Sequence, residues 1–280
     1  MKFFRTSFLI LVILLPLFAF AGNENQPIGA RRAGLGSAYA AVKGDFWQLF
    51  MNPSGIAGLE GPQVGAYFER RYLLSELNSG AVGFVYPFKN KHFAGVDFGG
   101  FGFGDYNESR IGLTYATSLF DRLSLGAKVN YTRTSIANYG AASAIYLDLG
   151  LSLEIVEGFT MGARIFNANQ AELDREIGEE IPSTLDIGLG YQVTDRVLVV
   201  VDAQKQVNFP VSFRGGIEYG ILDFLDIRAG ASLAPVTINL GFGVEYKGVI
   251  FDFTNSYHEF LGYTPSFSLS YRFNSSPEEQ

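Results

Sequence analysis

The chain has 280 residues, no cysteine and a formal net charge of −7. Without thiols it forms no disulfide and does no thiol chemistry. The acidic balance argues against nonspecific nucleic-acid binding, which needs clustered Lys and Arg. Glycine (33), phenylalanine (26) and tyrosine (15) are abundant, and the mean hydropathy is +0.14. That combination suits a membrane barrel with apolar alternate positions and aromatic girdles on its outer face.

Residues 1–21 read as a signal peptide. Lys2 and Arg5 form the basic start, Phe8 to Phe18 the apolar core, and Ala19-Phe20-Ala21 the small-x-small cleavage site. No later segment is long and apolar enough for a membrane helix of roughly 20 residues, so any membrane residence must come from strands.

Residues 22–60 fit neither leader nor strand, and the expected element is an N-terminal plug, or hatch, inside a barrel. Small residues and glycines come first, including Gly34 and Gly36. A short helix-like run follows from Asp45 to Met51, ending at Asn52-Pro53. Asn52 can bond its own backbone through a turn and Pro53 forbids helix continuation, which makes a fixed corner. Phe46, Trp47, Phe50 and Met51 form an aromatic cluster that either packs the hatch on the wall or contacts a hydrophobic ligand.

Residues 61–273 alternate with a period of two. Ile145, Leu147, Leu149 and Leu151 oppose Tyr146, Asp148, Gly150 and Ser152, and Val236, Ile238, Leu240 and Phe242 oppose Thr237, Asn239, Gly241 and Gly243. About fourteen such segments are spaced as in an up-and-down antiparallel barrel, so the fold class is all-β and transmembrane. Tight turns are expected at 87–91, 120–122, 157–158, 194–196, 222–224 and 247–248. Longer connections are expected at 107–108, 138–140, 167–182 and 258–264. Short turns mark the periplasmic side of an outer-membrane barrel. The last strand, Pro265 to Phe273, is expected to close the sheet, because so apolar an open edge invites aggregation. A polar tail, 274–280, follows.

The inward registers carry both signs of charge. The acids are Glu69, Asp97, Asp148, Glu154, Asp186, Asp202, Glu218, Asp226, Glu245 and Asp252, and the bases Arg71, Arg110, Lys128, Arg164, Arg214, Arg228 and Arg272. An ion-selective pore favours rings of one sign. Mixed charges that pair with each other and with Arg31, Arg32, Lys43 and Asp45 of the hatch predict a largely sealed lumen. Glycines at lumen positions such as 188, 190, 241 and 243 let the hatch approach the wall or the strands curve.

No catalytic or metal-binding constellation is present. His92 and His258 fall at opposite barrel ends, and the Ser256–His258 pair lacks an acid partner. The reading is therefore a non-enzyme with no cofactor and no metal. The most polar loop, with Glu172, Asp174, Arg175, Glu176, Glu179 and Glu180, is either a solvated surface or a partner-docking or calcium-binding loop.

The hatch motif, Gly29 to Val42 with Arg31, Arg32, Gly34 and Gly36, then Asp45, then Asn52-Pro53-Ser54-Gly55-Ile56-Ala57, resembles the N-terminus of the PorV/PorQ family of outer-membrane barrels. That family is similar to the long-chain fatty-acid transporter barrels. The resemblance implies a partner-binding component of a type IX secretion-like or surface-assembly system, with secretion-machinery proteins or cargo as partners. The alternative is a transporter for hydrophobic small molecules such as long-chain fatty acids, working through the hatch and a lateral opening. A purely structural outer-membrane protein is the third reading. All three place the chain among outer-membrane lipid in a Gram-negative bacterium.

Overall fold

The computed structural model describes residues 27–89, 91–120, 122–174 and 179–273. The expected signal peptide (1–21) and polar tail (274–280) lie outside the described residues.

Seven strands come first: β1 (Gln63–Arg70), β2 (Asn78–Phe88), β3 (His92–Phe103), β4 (Tyr106–Phe120), β5 (Leu123–Ile136), β6 (Gly140–Val156) and β7 (Phe159–Phe166). Two short strands, β8 (Glu172–Asp174) and β9 (Glu179–Glu180), pair only with each other. Seven more follow: β10 (Thr184–Thr194), β11 (Val197–Gln206), β12 (Ser212–Leu222), β13 (Leu225–Leu233), β14 (Val236–Tyr246), β15 (Val249–His258) and β16 (Gly262–Arg272). All but β8 and β9 form one closed antiparallel barrel, in which β1 pairs with both β2 and β16. Closure removes the open edge. The chain is thus an all-β, 14-stranded transmembrane barrel.

Alternation sets the faces as the sequence indicates. Ile145, Leu147 and Leu149 point to lipid while Tyr146 and Asp148 are buried inside. On β16, Phe267, Leu269 and Tyr271 face out and Ser266, Ser268 and Ser270 face in. The six tight turns all fall at the end that holds the start of β1 and the end of β16, the periplasmic side by the short-turn rule. Two outer boundaries differ from expectation. Asn107 and Glu108 pair with Gly102 and Phe101 inside the β3–β4 ladder, so that turn lies at 104–105. Strand β16 starts at Gly262, because Tyr263 and Thr264 continue the pairing with β15.

Opposite charges sit directly across the ladders: Lys128 opposite Asp148, Arg164 opposite Asp186, Arg214 opposite Asp202 and Glu218 opposite Arg228. Cross-strand neighbours of opposite sign stabilise a sheet. Here the inward face of each strand also meets the hatch.

Candidate functional site: the hatch and its two vestibules

The hatch fills the lumen. Helix α1 (Ala30–Gly34) was not foreseen, and the helix-like run expected at 45–51 is a 3-10 turn over Phe46–Phe50. Asp45 caps that turn, accepting from the Trp47 N–H at 2.8 Å. Pro53 does more than stop it: it begins a second 3-10 turn, Pro53–Ile56, capped by the Asn52 side chain. Such short turns do not stand alone. The wall holds them.

Asn52 is the hub. Its Nδ2 donates to the carbonyls of Ala40 (2.8 Å) and Leu151 on the wall (3.2 Å), and its Oδ1 accepts from Ser54 N (3.2 Å) and Ser54 Oγ (2.8 Å). Ser54 Oγ reaches Ser152 of β6 at 2.8 Å. Gln48, which the sequence reading missed, joins the same knot. Its Oε1 accepts from Asn52 N at 3.1 Å, and its Nε2 bonds the carbonyls of Tyr39 (2.6 Å) and Val42. A fully buried glutamine with every polar atom used fixes three stretches of hatch to one another.

The wall glycines are the imprint of the hatch. A Cβ on Gly126 or Gly150 would overlap the Asn52–Ser54 stretch, one on Gly162 the Ala40 backbone, and one on Gly216 or Gly230 the Leu35–Gly36 backbone. Gly36 itself has φ 66° and lies against the backbone of Ala231 and Gly215, a position closed to any side chain. Gly34 faces Thr254 and Arg228, and Gly55 lies under Gln48.

Phe46, Trp47, Phe50 and Met51 are all buried. Trp47 stacks on Phe50 at 5.9 Å and packs near Tyr67 at 6.2 Å. Phe46 and Leu49 fill the space over Gly65, Gly83 and Gly95 of β1–β3. On the far side, Lys128 Nζ donates to the Leu49 carbonyl at 2.9 Å while paired with Asp97 at 2.6 Å.

The two hatch arginines diverge. Arg31 forks onto Glu218 and also reaches Asp45 at 2.6 Å. Glu218 holds Arg228 as well, and Arg228 reaches Asp252 at 2.6 Å. Arg32 points the other way, into the barrel interior, and its Nε and Nη1 have no hydrogen-bond partner.

A vestibule lies at each end of the hatch. The inner one, about 270 Å³, is charged and lined by Arg31, Asp45, Arg228, Asp252, Glu245 and Arg272, with edges of Phe46 and Trp47. The outer one is a cleft of about 60 Å³ that takes in Ile28 of the hatch and mixes apolar groups with Ser79, Glu108, Ser109, Arg110 and Thr132. Its walls include Gly80, Gly99, Gly100, Phe101, Arg110, Tyr146, Phe166 and Ile181.

The long connection folds inward over that cleft. Asn167 accepts from Ala171 N at 2.8 Å and donates to the carbonyls of Ala171 (3.1 Å) and Ile181 (2.8 Å). Leu173 and Ile181 are buried in a cluster with Tyr146 and Phe166. Isolated apolar residues in a polar loop gave no periodic signal, so the sequence reading missed them. Glu172 is exposed, Arg175 and Glu176 lie outside the described residues, and the side chains of Asp174, Glu179 and Glu180 do too. His258 caps the β15–β16 turn, its Nδ1 accepting from Phe260 N at 3.2 Å and Leu261 N at 3.3 Å.

A closed barrel with a lipid-facing apolar band and a hatch in its lumen defines a β-barrel protein of the outer-membrane type. Among solved structures it is similar to the Pseudomonas putida toluene transporter TodX, with TM-score 0.68 and 14% identity over 90% of this chain and 100% of that one. It is similar to a Pseudomonas aeruginosa FadL homologue, with TM-score 0.60 and 13% identity over 89% and 98%. The Acinetobacter baumannii outer membrane protein Omp33 follows with TM-score 0.52 and 11% identity over 76% and 98%. No protein-family model and no curated protein matches the chain.

These likenesses correct the resemblance drawn from the hatch motif. The barrel has the fold of TodX- and FadL-type proteins, and assignment to the PorV/PorQ family and to type IX secretion does not hold. The motif misled for a physical reason. Glycines, small residues and an Asn-Pro corner serve close packing and tight turning, local needs that do not distinguish one barrel family from another.

Proposed function

We propose that the protein admits small hydrophobic molecules across the outer membrane. The observation that carries this reading is the outer cleft, which takes in Ile28 of the hatch and whose walls include Phe101, Phe166 and Ile181. Aromatic and aliphatic groups with a few polar ones are the usual lining of a small-molecule site, and at about 60 Å³ the cleft must widen to admit an aromatic ring. The fold shared with a toluene transporter and a FadL homologue supports the same reading.

The route beyond the cleft is not axial in this conformation. The hatch is bonded to the wall around its circumference, and the vestibule beneath it is charged, which disfavours apolar solutes. Beside the cleft, Gly80 faces Gly100 and Ala81 faces Gly99 across the β2–β3 ladder. Gly80, Ala81, Gly99 and Gly100 put almost no side chain on the wall there. A lateral exit into the membrane needs only local parting of this pair.

The test is uptake of a labelled monoaromatic hydrocarbon and of a labelled long-chain fatty acid by cells carrying the protein, compared with Gly99→Phe. A Cβ at Gly99 meets Arg110 Nη2 and Ile28 Cδ1 at 3.8 Å and the Gly80 carbonyl oxygen at 3.9 Å, all ordinary van der Waals contacts, so the position accepts a side chain directed into the cleft. Uptake of at least one class should fall in this variant while the barrel still folds. Uptake no better than in cells lacking the barrel, or unchanged by Gly99→Phe, sinks the proposal.

A further inference from the structure

Above the apolar band, an outer-membrane barrel meets headgroups and water, and its outward residues turn polar past the aromatic girdle. Strand β5 follows that pattern: after Tyr131 its outward positions are Arg133 and Ser135. The β15–β16 turn at the same outer end does not. Along β16 the outward positions rise through Phe267, Pro265 and Tyr263, and the turn continues with Leu261 and Phe260. Tyr263 faces Tyr257 of β15 with ring centroids 5.0 Å apart, an aromatic pair of the kind that marks a membrane interface. Past that pair, Phe260 is 84% and Leu261 52% exposed.

The turn draws its backbone partners from within the chain. The N–H groups of Phe260 and Leu261 both donate to His258 Nδ1, at 3.2 and 3.3 Å, and His258 and Gly262 face each other in the ladder. Lipid supplies no hydrogen bonds, so a turn that touches it needs such internal partners. The His258 ring is itself met edge-on by Tyr72 of the β1–β2 connection at 6.1 Å, and the Tyr72 N–H donates to Thr264 Oγ1 at 3.0 Å. Glu259 is exposed in the same turn. A carboxylate is costly in hydrocarbon, which limits how deep the turn can sit.

We propose that Phe260 and Leu261 anchor the outer rim in the lipid surface, at the boundary between the headgroups and acyl chains of the outer leaflet. The occupant is lipid because Leu261 extends the outward series of β16, which already faces lipid, with no charged residue between. The Tyr72–His258 contact ties this anchor to the β1–β2 connection. Arg71 of that connection lies over the Phe101 ring, 5.7 Å from its centroid, and Phe101 belongs to the wall of the outer cleft. The rim beside the cleft is thereby held at the membrane surface. The anchor does not depend on what crosses the cleft.

The chain has no native cysteine, so single spin labels report depth in the intact protein. Phe260→Cys and Leu261→Cys are each labelled in the full chain and placed in phosphatidylcholine vesicles. Tyr139→Cys of the β5–β6 turn, 88% exposed in the unsubstituted chain, is the water-facing reference. Collisions with oxygen, which concentrates in lipid, are compared with collisions with a water-soluble nickel chelate. The oxygen-to-nickel ratio should be several-fold higher at 260 and 261 than at 139. A ratio equal to that at 139 leaves the turn in water, free for a protein partner, and overturns the proposal. Protection from both reagents, the sign of a second copy seated on the turn, overturns it as well.

Discussion

Arg31 and Glu218 meet fork to fork across the boundary between hatch and wall, Nε to Oε2 at 2.8 Å and Nη2 to Oε1 at 2.6 Å. Two parallel charge-assisted bonds are strong and directional. Glu218 lies on β12 and also holds Arg228, so one carboxylate ties α1 to two wall strands.

Glu218→Gln should therefore loosen the inner face of the hatch by about 2 kcal/mol, within the range for hydrogen bonds to charged groups. Hydrogen exchange at the α1 amides should speed up while exchange in β12 changes little. Equal protection in both proteins contradicts the assignment.

Asn52→Ala should be more damaging. It removes four hydrogen bonds and strands the Ala40 carbonyl and the Ser54 N–H in the interior. The expected loss is about 3 kcal/mol of hatch stability, from groups left unsatisfied. Asn52→Asp keeps the acceptor and loses the donor, so it should fall between wild type and alanine in a denaturant titration that follows Trp47 fluorescence.

The glycine imprint separates fit from folding. Gly126→Ala places a methyl on the Pro53–Ser54 backbone, whereas Gly104→Ala meets nothing within 4 Å. Overpacking of this kind costs about 1–3 kcal/mol. Gly126→Ala should raise thiol labelling of a hatch cysteine, and Gly104→Ala should leave it at the wild-type rate.

A lumen closed by the hatch should give no large steady conductance in a planar bilayer. Deleting residues 22–60 should give a stable open pore, because the wall ladders are continuous without them. Large conductance from the intact chain runs against closure by the hatch.

Much of this was legible in the sequence. Strand faces, strand number, tight-turn positions and the closing edge all follow from period-two alternation, a local property that each segment shows by itself. The Asn52-Pro53 corner was legible for the same reason, since its chemistry is local. The boundaries near 107 and 264 were not, because pairing with a neighbour, rather than residue type, decided where the ladders end.

The sequence alone thus determined a membrane barrel with alternating faces, and set apart, as an expected filling, a segment that fits no strand. Tertiary structure decided what that filling does with its charges. Arg31 and Arg32 are adjacent and chemically identical. They diverge because successive positions on α1 face different wall strands, one meeting Glu218 and the other the surroundings of Arg164, Arg214, Asp186 and Asp202. The inward packing of Leu173 and Ile181 against Tyr146 and Phe166 was likewise decided by tertiary structure. Contacts between residues far apart in the chain leave no periodicity to read, and only the closed barrel brings them together.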